Sequence, residues 1–416
     1  MIRAPKLFFT FAALILFTLN SKAQDNWLDK VDIYLHTVDR GTMIYDNFGH
    51  TAIRVHNRNT NQDVVYNWGI FNFTDPVEFS LKFYKGILIY QLGVYSFETA
   101  QQYYQREQRT VWEDKINFNN KQKEIFLKLL DWNYLPENRD YQYHYFFDNC
   151  STRVRDYLDK ALDGQVKSIL EKEKAGRTFR DTVQEGYKTN PEIYFSLDLL
   201  MNGNIDREMN KWEEMFLPEK LRDHLMSLEI DNKFFSSSII LYDYKSPSRP
   251  WLNGFHIFAL IFSVILAAIF FSDFRKIKVA SRISWSLGLL ISMVLGIFGL
   301  TMLLNWIISG HIDLHHNWNM LLLWPTDLLL LWPIIAILRK GPEINPSPKV
   351  LKFWNKYFKL HLLFNVIFLL VWITGLSGQS LFNTAIFVCP LYSLFLYLIF
   401  RTYQSPETRN FSYGIE

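Results

Sequence analysis

The chain has 416 residues, a formal net charge of +3 and two cysteines, with 49% hydrophobic and 20% charged residues. A charge balance this close to neutral gives no reason to expect a nucleic-acid partner. The averages also join two unlike parts, an N-terminal stretch of mixed polar and aromatic character and a strongly apolar C-terminal stretch.

Residues 1–23 read as a secretory signal peptide. Arg3 and Lys6 precede the apolar run "LFFTFAALILFTL", and "NSKAQ" supplies small residues, so cleavage is expected near Ala23. The alternative, a first membrane anchor, suits the run less well because it is short and no stop-transfer charges follow. Residues 24–250 hold no apolar run near spanning length. "VDIYLHTV" alternates as a strand does, and "HTAIRVHN" alternates again, with Thr51, Ile53 and Val55 on one side and Ala52, Arg54 and His56 on the other. After the polar turn "NRNTNQ", "NQDVVYNWGIFNF" reads as the next antiparallel strand. Helical spacing follows over 97–115 and 120–133, the second with Ile125, Leu127, Leu129 and Leu130 as a buried stripe. Asn149 or Asp148 is positioned to cap a helix from Cys150 to Ala161, along which Val154, Tyr157, Leu158 and Leu162 recur. The fold class expected for 24–250 is α+β.

Five segments in 251–403 are apolar enough to cross a bilayer at ~20 residues per helix: 252–272, 284–307, 319–338, 358–376 and 381–400. The expected all-α transmembrane domain of five helices ends in a tail at 404–416. Arg275, Lys276, Lys278 and Arg282 follow the first segment; Arg339, Lys340, Lys349, Lys352, Lys356 and Lys359 follow the third; Arg401 opens the tail. The links "SGHIDLHHN" and "GLSGQS" hold no Lys or Arg. The positive-inside rule therefore places the tail and the charged links in the cytoplasm and residues 24–250 on the far side, where a signal peptide sends them.

Cys389 falls in the fifth apolar segment, which leaves Cys150 as the only cysteine of the exported part. An unpaired exported cysteine suggests a reactive or intermolecular role, against the plainer reading of an inert buried thiol. At the first turn of a helix, a thiol meets the positive end of the macrodipole and unpaired N–H groups, which favour the thiolate and can receive an oxyanion. Asn149 and Asp148, beside that position, are candidates to support the site or its oxyanion. A base is also needed, and His50 at a strand start is the leading candidate, with a capping or structural histidine as its plainer reading. His56 ranks second, and His36 and His144 also compete. Asn67 on the next strand would orient the imidazole if the register brings it to His50. No C-x₂-C or H-x₃-H spacing supports a metal, and no nucleotide fingerprint, P-loop or serine elbow is present, so no cofactor is expected.

Outside this pair, Arg54 is a candidate for lipid phosphate, with a surface or salt-bridged role favoured. His311, His315, His316, Asn317 and Asn319 lie in a link at the expected outer membrane surface. They are candidates for gripping a phospholipid headgroup or completing the site, against plain interfacial solvation. Asp327 in "WPTDLLLL" is costly inside a bilayer unless it caps the Pro325 break.

The "GHTAIRV" and "NCSTRVRDYL" boxes resemble the circularly permuted branch of papain-like enzymes, which includes lecithin:retinol acyltransferase; NlpC-type endopeptidases carry the pieces in the other order. More extensively, "DNFGHTAIRV", "VYNWGIFNF", "PENRDYQYHYFFDNCSTRVRD", "TFRDTV", "GNIDREMNKWEEMFLPEKL" and "HHNWNMLLLWP" resemble the Lnb family of bacterial proteins, with an N-terminal periplasmic domain and a membrane-helical half. The resemblance implies lipoprotein N-acylation: an acyl chain passes from a phospholipid through a Cys150 thioester, with His50 as partner, to the N-terminal amine of a bacterial lipoprotein at the inner membrane. The competing classes are a cell-wall cysteine amidase or peptidase and a non-catalytic membrane sensor or assembly protein.

Overall fold

The computed structural model describes residues 26–41, 43, 46–71, 75–230, 232–245, 263–264, 278–340, 347–390 and 392. In chain order the strands are β1 (Val31–Val38), β2 (His50–Asn57), β3 (Gln62–Ile70), β4 (Ile89–Ser96), β5 (Val111–Ile116), β6 (Asp140–Gln142) and, after two short two-stranded ladders, β7 (Phe235–Tyr242). The principal helices are α1 (Pro76–Tyr84), α2 (Phe97–Glu107), α3 (Asn120–Tyr134), α4 (Cys150–Ala161), α5 (Phe179–Gly186), α6 (Pro191–Leu200), α7 (Pro218–Met226), α8 (Lys278–Ile308), α9 (Leu331–Lys340) and α10 (Pro348–Thr374). The chain divides into two compact units that interleave in sequence. One takes the described residues within 1–72, 89–172 and 211–246; the other takes those within 73–88, 173–210 and 247–416.

The first unit is built on a seven-stranded sheet in the order β7-β5-β1-β2-β3-β4-β6, with antiparallel neighbours throughout. Alternation along β2 sends its residues to two different cores. Ile53 and Val55 join Ile33, Leu35, Trp68 and Leu92 beneath α3 and α4, whose Phe126, Leu130, Val154, Tyr157 and Leu158 close that face. Ala52 joins Val38, Val65 and Val111 beneath Ala100 and Tyr104 of α2. The unit is therefore α+β, with helices on both faces. One expected helix is shorter than its pattern: 97–115 divides into α2 and the strand β5. Gln108 ends α2 in a left-handed conformation, and Val111–Ile116 then runs extended between β1 and β7, with Val111, Glu113, Asp114 and Ile116 buried. Tertiary pairing overrides local spacing here.

The second unit is mainly helical. Among the described residues, Gly288–Ile308 of α8 and Pro348–Thr374 are long and apolar enough to cross a membrane, and a third span results if Ile312–Leu321 and Pro325–Ala336, bent by 52° at their break, count as one. Five were expected. The segment 319–338 is interrupted where Pro325 opens a new turn and Asp327 accepts a hydrogen bond from the Trp324 N–H at 3.0 Å. The expected span 252–272, apart from 263–264, the end of 381–400, the signal peptide and the tail lie outside the described residues.

Candidate active site

Two chain segments converge at one end of the sheet. Gly49, with φ of +82° and Val38 O only 2.6 Å from where a Cβ would stand, delivers the chain into β2 at His50. Cys150 enters from the opposite side as the first residue of α4. Asn149 is the cap: its Oδ1 accepts from Ser151 N at 2.9 Å and Thr152 N at 3.0 Å, while its own N–H donates to Thr152 Oγ1 at 2.8 Å. Between the segments, the buried Thr51 and Ser151 hydroxyls lie 2.8 Å apart in a hydrogen bond, which ties the neighbour of His50 to the neighbour of Cys150.

The His50 and Cys150 side chains are hydrogen-bonded to each other, and both residues are half-buried, so the pair is packed yet reachable. Asn67 completes the group. The β2–β3 register pairs Ala52 with Asn67, which puts Asn67 on the same face as His50 and diagonal to it. His50 Nε2 is 2.8 Å from Asn67 Oδ1, and Asn67 Nδ2 donates to the Tyr95 hydroxyl at 2.6 Å. Because an amide oxygen only accepts, Nε2 carries the proton and Nδ1 is left to exchange one with sulfur. Gly69, at a β3–β4 irregularity, makes room: a Cβ there would lie 3.0 Å from His50 Cε1 and 3.2 Å from Asn67 Oδ1.

Electrostatics favour the ion pair. Burial pushes the Cys150 thiol up, but the His50 charge and hydrogen bond and the backbone N–H groups of Thr51 and Ser151 carry it below the usual thiol value. Burial pushes His50 down, yet the Cys150 charge, the bond to Cys150 and that to Asn67 outweigh burial and the opposing Arg109 charge, leaving it raised. Tyr90, within electrostatic reach of the thiol, belongs to an aromatic wall: it stacks on Tyr143 at 4.3 Å and on Phe71 at 4.8 Å, and Tyr90, Tyr143 and Cys150 all pack against the core.

The remaining sequence candidates have other employment. Asn149 Nδ2 donates to Tyr145 O at 2.9 Å and Phe216 O at 3.1 Å, so its amide serves the cap and holds loops; no donor of this amide is left for an oxyanion. Asp148 is ion-paired with Arg153, and burial sets its carboxyl above the usual range. Arg54 is clamped by Asp63 at 2.6 Å and Glu113 at 2.7 Å, with its guanidinium 3.5 Å from the Phe97 ring centre, in the salt-bridged role. His36 is fully buried between Tyr104 Oη at 3.0 Å and Glu113 at 2.8 Å. His56 stands six residues along β2 from His50, roughly 20 Å at strand rise. His144 Nδ1 accepts from the Phe146 and Phe147 N–H groups.

The link candidates belong to the second unit, where several of them bind backbone. His311 Nε2 donates to Phe83 O at 2.7 Å, and His315 Nε2 donates to Ser309 O at 2.9 Å. Asn317 and Asn319 both donate to Leu199 O, at 2.7 and 2.9 Å. His316 is exposed, with its ring 4.7 Å from that of Trp306. Among the described residues, no three His, Cys, Asp or Glu side chains gather as metal ligands. Sequence reading missed Tyr95, Thr51–Ser151 and the aromatic wall; the strand register and the seating of α4 against β2 reveal them.

A comparison with family models matches residues 20–185 to the Lnb N-terminal periplasmic domain. No curated protein and no solved structure matches the chain. The matched segment contains His50, Asn67 and Cys150.

Proposed function

We propose that this protein is a membrane-bound cysteine acyltransferase that moves a fatty acyl chain from a phospholipid, through a Cys150 thioester, to the N-terminal amine of a bacterial lipoprotein, using a permuted papain-like His–Cys arrangement. One observation carries the reading: a half-buried thiol held below its usual pKa by an imidazole that is itself braced by an asparagine. That is the equipment of an activated nucleophile with a general base and an orienting group. The match to a periplasmic domain and the apolar helices favour substrates that reside in a bilayer. The Phe71–Tyr90–Tyr143 wall offers apolar surface for an acyl chain.

In the first half-reaction the Cys150 thiolate attacks the ester carbonyl. A tetrahedral oxyanion forms near the N-terminus of α4, where the backbone amides of Thr51 and Ser151 are directed at the sulfur. The ester C–O bond breaks, and the leaving alkoxide takes the proton from His50, giving lysophospholipid and a thioester. In the second, the acceptor amine attacks the thioester carbonyl, His50 takes a proton from the nitrogen, the C–S bond breaks, and the thiolate–imidazolium pair is restored as the amide departs.

The test uses the full chain in phospholipid vesicles. Without acceptor, the peptide containing Cys150 is expected to gain the mass of one acyl chain, labile to hydroxylamine. A diacylglyceryl lipopeptide is then expected to discharge it and appear N-acylated. N-acylated product at an undiminished rate from Cys150→Ser, or acylation only at other residues, overturns the proposal.

A further inference from the structure

Helix α1 fills the connection between β3 and β4, yet none of its residues is buried. Asp75 caps it and Pro76 opens it, so its register is fixed. Val77, Leu81 and Tyr84 fall at i, i+4 and i+7, one stripe of the helix. Val77 is 68% exposed and Leu81 52% exposed. Glu78 and Lys82, ion-paired at 2.8 Å, occupy a neighbouring flank, which makes the helix amphipathic with its apolar stripe uncovered.

The third member of the stripe says what covers the other two. Tyr84 donates its hydroxyl to Asn305 Oδ1 at 2.6 Å, and Asn305 lies three residues before the end of the span Gly288–Ile308, about 4.5 Å of helix rise. Further bonds hold this level: Ser309 Oγ donates to Tyr84 O at 2.9 Å, and His311 Nε2 to Phe83 O at 2.7 Å. The backbones touch as well, since a Cβ on Gly310 would lie 2.3 Å from Lys85 O. Trp306 and Ile307, 48% and 71% exposed, mark the last turn of the span with the mixture found where helices leave a bilayer.

We infer that α1 lies in the bilayer interface at the end of α8, with Val77 and Leu81 embedded in the acyl boundary and Glu78 and Lys82 toward headgroups and water. The stripe that reaches the end of a membrane span through Tyr84 carries Val77 and Leu81 on the same side, and the partner chemistry they fit is lipid. This inference rests on α8 as a span and not on the chemistry of Cys150.

The test is made on the full chain in phosphatidylcholine vesicles, in a Cys150→Ser, Cys389→Ala background, so its outcome is independent of acyl transfer. Single cysteines at V77C, L81C, E78C and K82C are labelled with bimane. Brominated acyl chains are expected to quench positions 77 and 81 at least about twofold more than 78 and 82, with aqueous iodide showing the reverse order. Equal quenching at all four positions overturns the inference. So does shielding of 77 and 81 from both quenchers, the outcome expected if a second copy covers the stripe. Unchanged thermal transitions across the four labelled proteins establish that the comparison is made on folded chains.

Discussion

Two histidines, one in each unit, divide structural from chemical pairing. His361 of the helical unit is fully buried; its Nε2 stands 2.8 Å from Asp327 Oδ1, and its ring lies 3.8 Å from that of Trp324. Tyr357 donates to the same carboxylate at 2.7 Å, and the second oxygen caps the turn at Trp324. His50 of the sheet unit is half-buried, and its braced nitrogen meets a neutral amide, which leaves the other nitrogen for a thiol. A carboxylate sealed against an imidazole and a tyrosine hydroxyl within the helical unit holds elements together, since each of these polar groups would otherwise be left without a neighbour of its kind. An imidazole oriented by an amide and open on one side can change protonation during a reaction.

The comparison is broken most directly at His50. His50→Ala is expected to lower the rate of Cys150 acylation by about 10²–10⁴-fold. It also removes the charge and hydrogen bond that hold the thiol down while leaving the burial that pushes it up. The midpoint for iodoacetamide alkylation of Cys150 is therefore expected to move to higher pH, past the usual thiol value. The wild-type midpoint is expected below it. Identical alkylation profiles would remove the electrostatic case for an activated thiol.

Asp327→Ala asks the opposite question of the other pair. It strips a fully buried imidazole and a tyrosine hydroxyl of their partner, and a loss of about 3–5 kcal/mol in stability is expected. Detergent-solubilised protein should show this as a lowered thermal midpoint, while the alkylation profile of Cys150 in the folded fraction stays as in wild type. A shifted profile would show that the two histidines are not separate devices.

These expectations also mark what could be seen in the chain beforehand. His50 and Cys150 were legible because a strand start and a helix cap each have local signatures, and the cap at Asn149 follows from its side-chain chemistry. Asn67 required a register, which alternation and the turn at "NRNTNQ" nearly fix. The Asp327 capping role was legible from Pro325, but its partners Tyr357 and His361, 30 and 34 positions away on α10, were not. β5 was hidden for the same reason, since nothing local distinguishes 111–116 from a continuing helix until β1 and β7 take up its backbone groups. The asparagines and His311 of the 311–319 link looked like ligand groups; their partners, the Leu199 and Phe83 carbonyls, come from distant segments.

A smaller effect is expected from Thr51→Val. The change keeps shape and leaves the buried Ser151 hydroxyl without its partner, at about 1–3 kcal/mol. Because the bond joins the two segments that carry the pair, kcat should fall while the pH midpoint of alkylation stays put, and Thr51→Ser should restore stability and kcat. A shifted midpoint with unchanged kcat would instead assign Thr51 to the thiolate's electrostatics.

Gly69→Ala probes the finest feature. The position faces His50 across the β2–β3 ladder, and the added methyl would meet the imidazole at 3.0 Å and the Asn67 oxygen at 3.2 Å. Both are tighter than ordinary contact, so one of them must give by a few tenths of an ångström. Among the described residues, Asn67 is held by Tyr95 and the imidazole by Asn67 and the sulfur, so the ring is the part that moves. A displacement of that size at a proton-transferring group is expected to reduce kcat roughly tenfold, since a full ångström costs about 10²-fold. Substrate affinity and the thermal midpoint should change little, because the methyl enters a half-buried position at one end of the sheet. A fall in KM-dependent terms alone would place the methyl in the path of substrate and leave the orientation of His50 untouched.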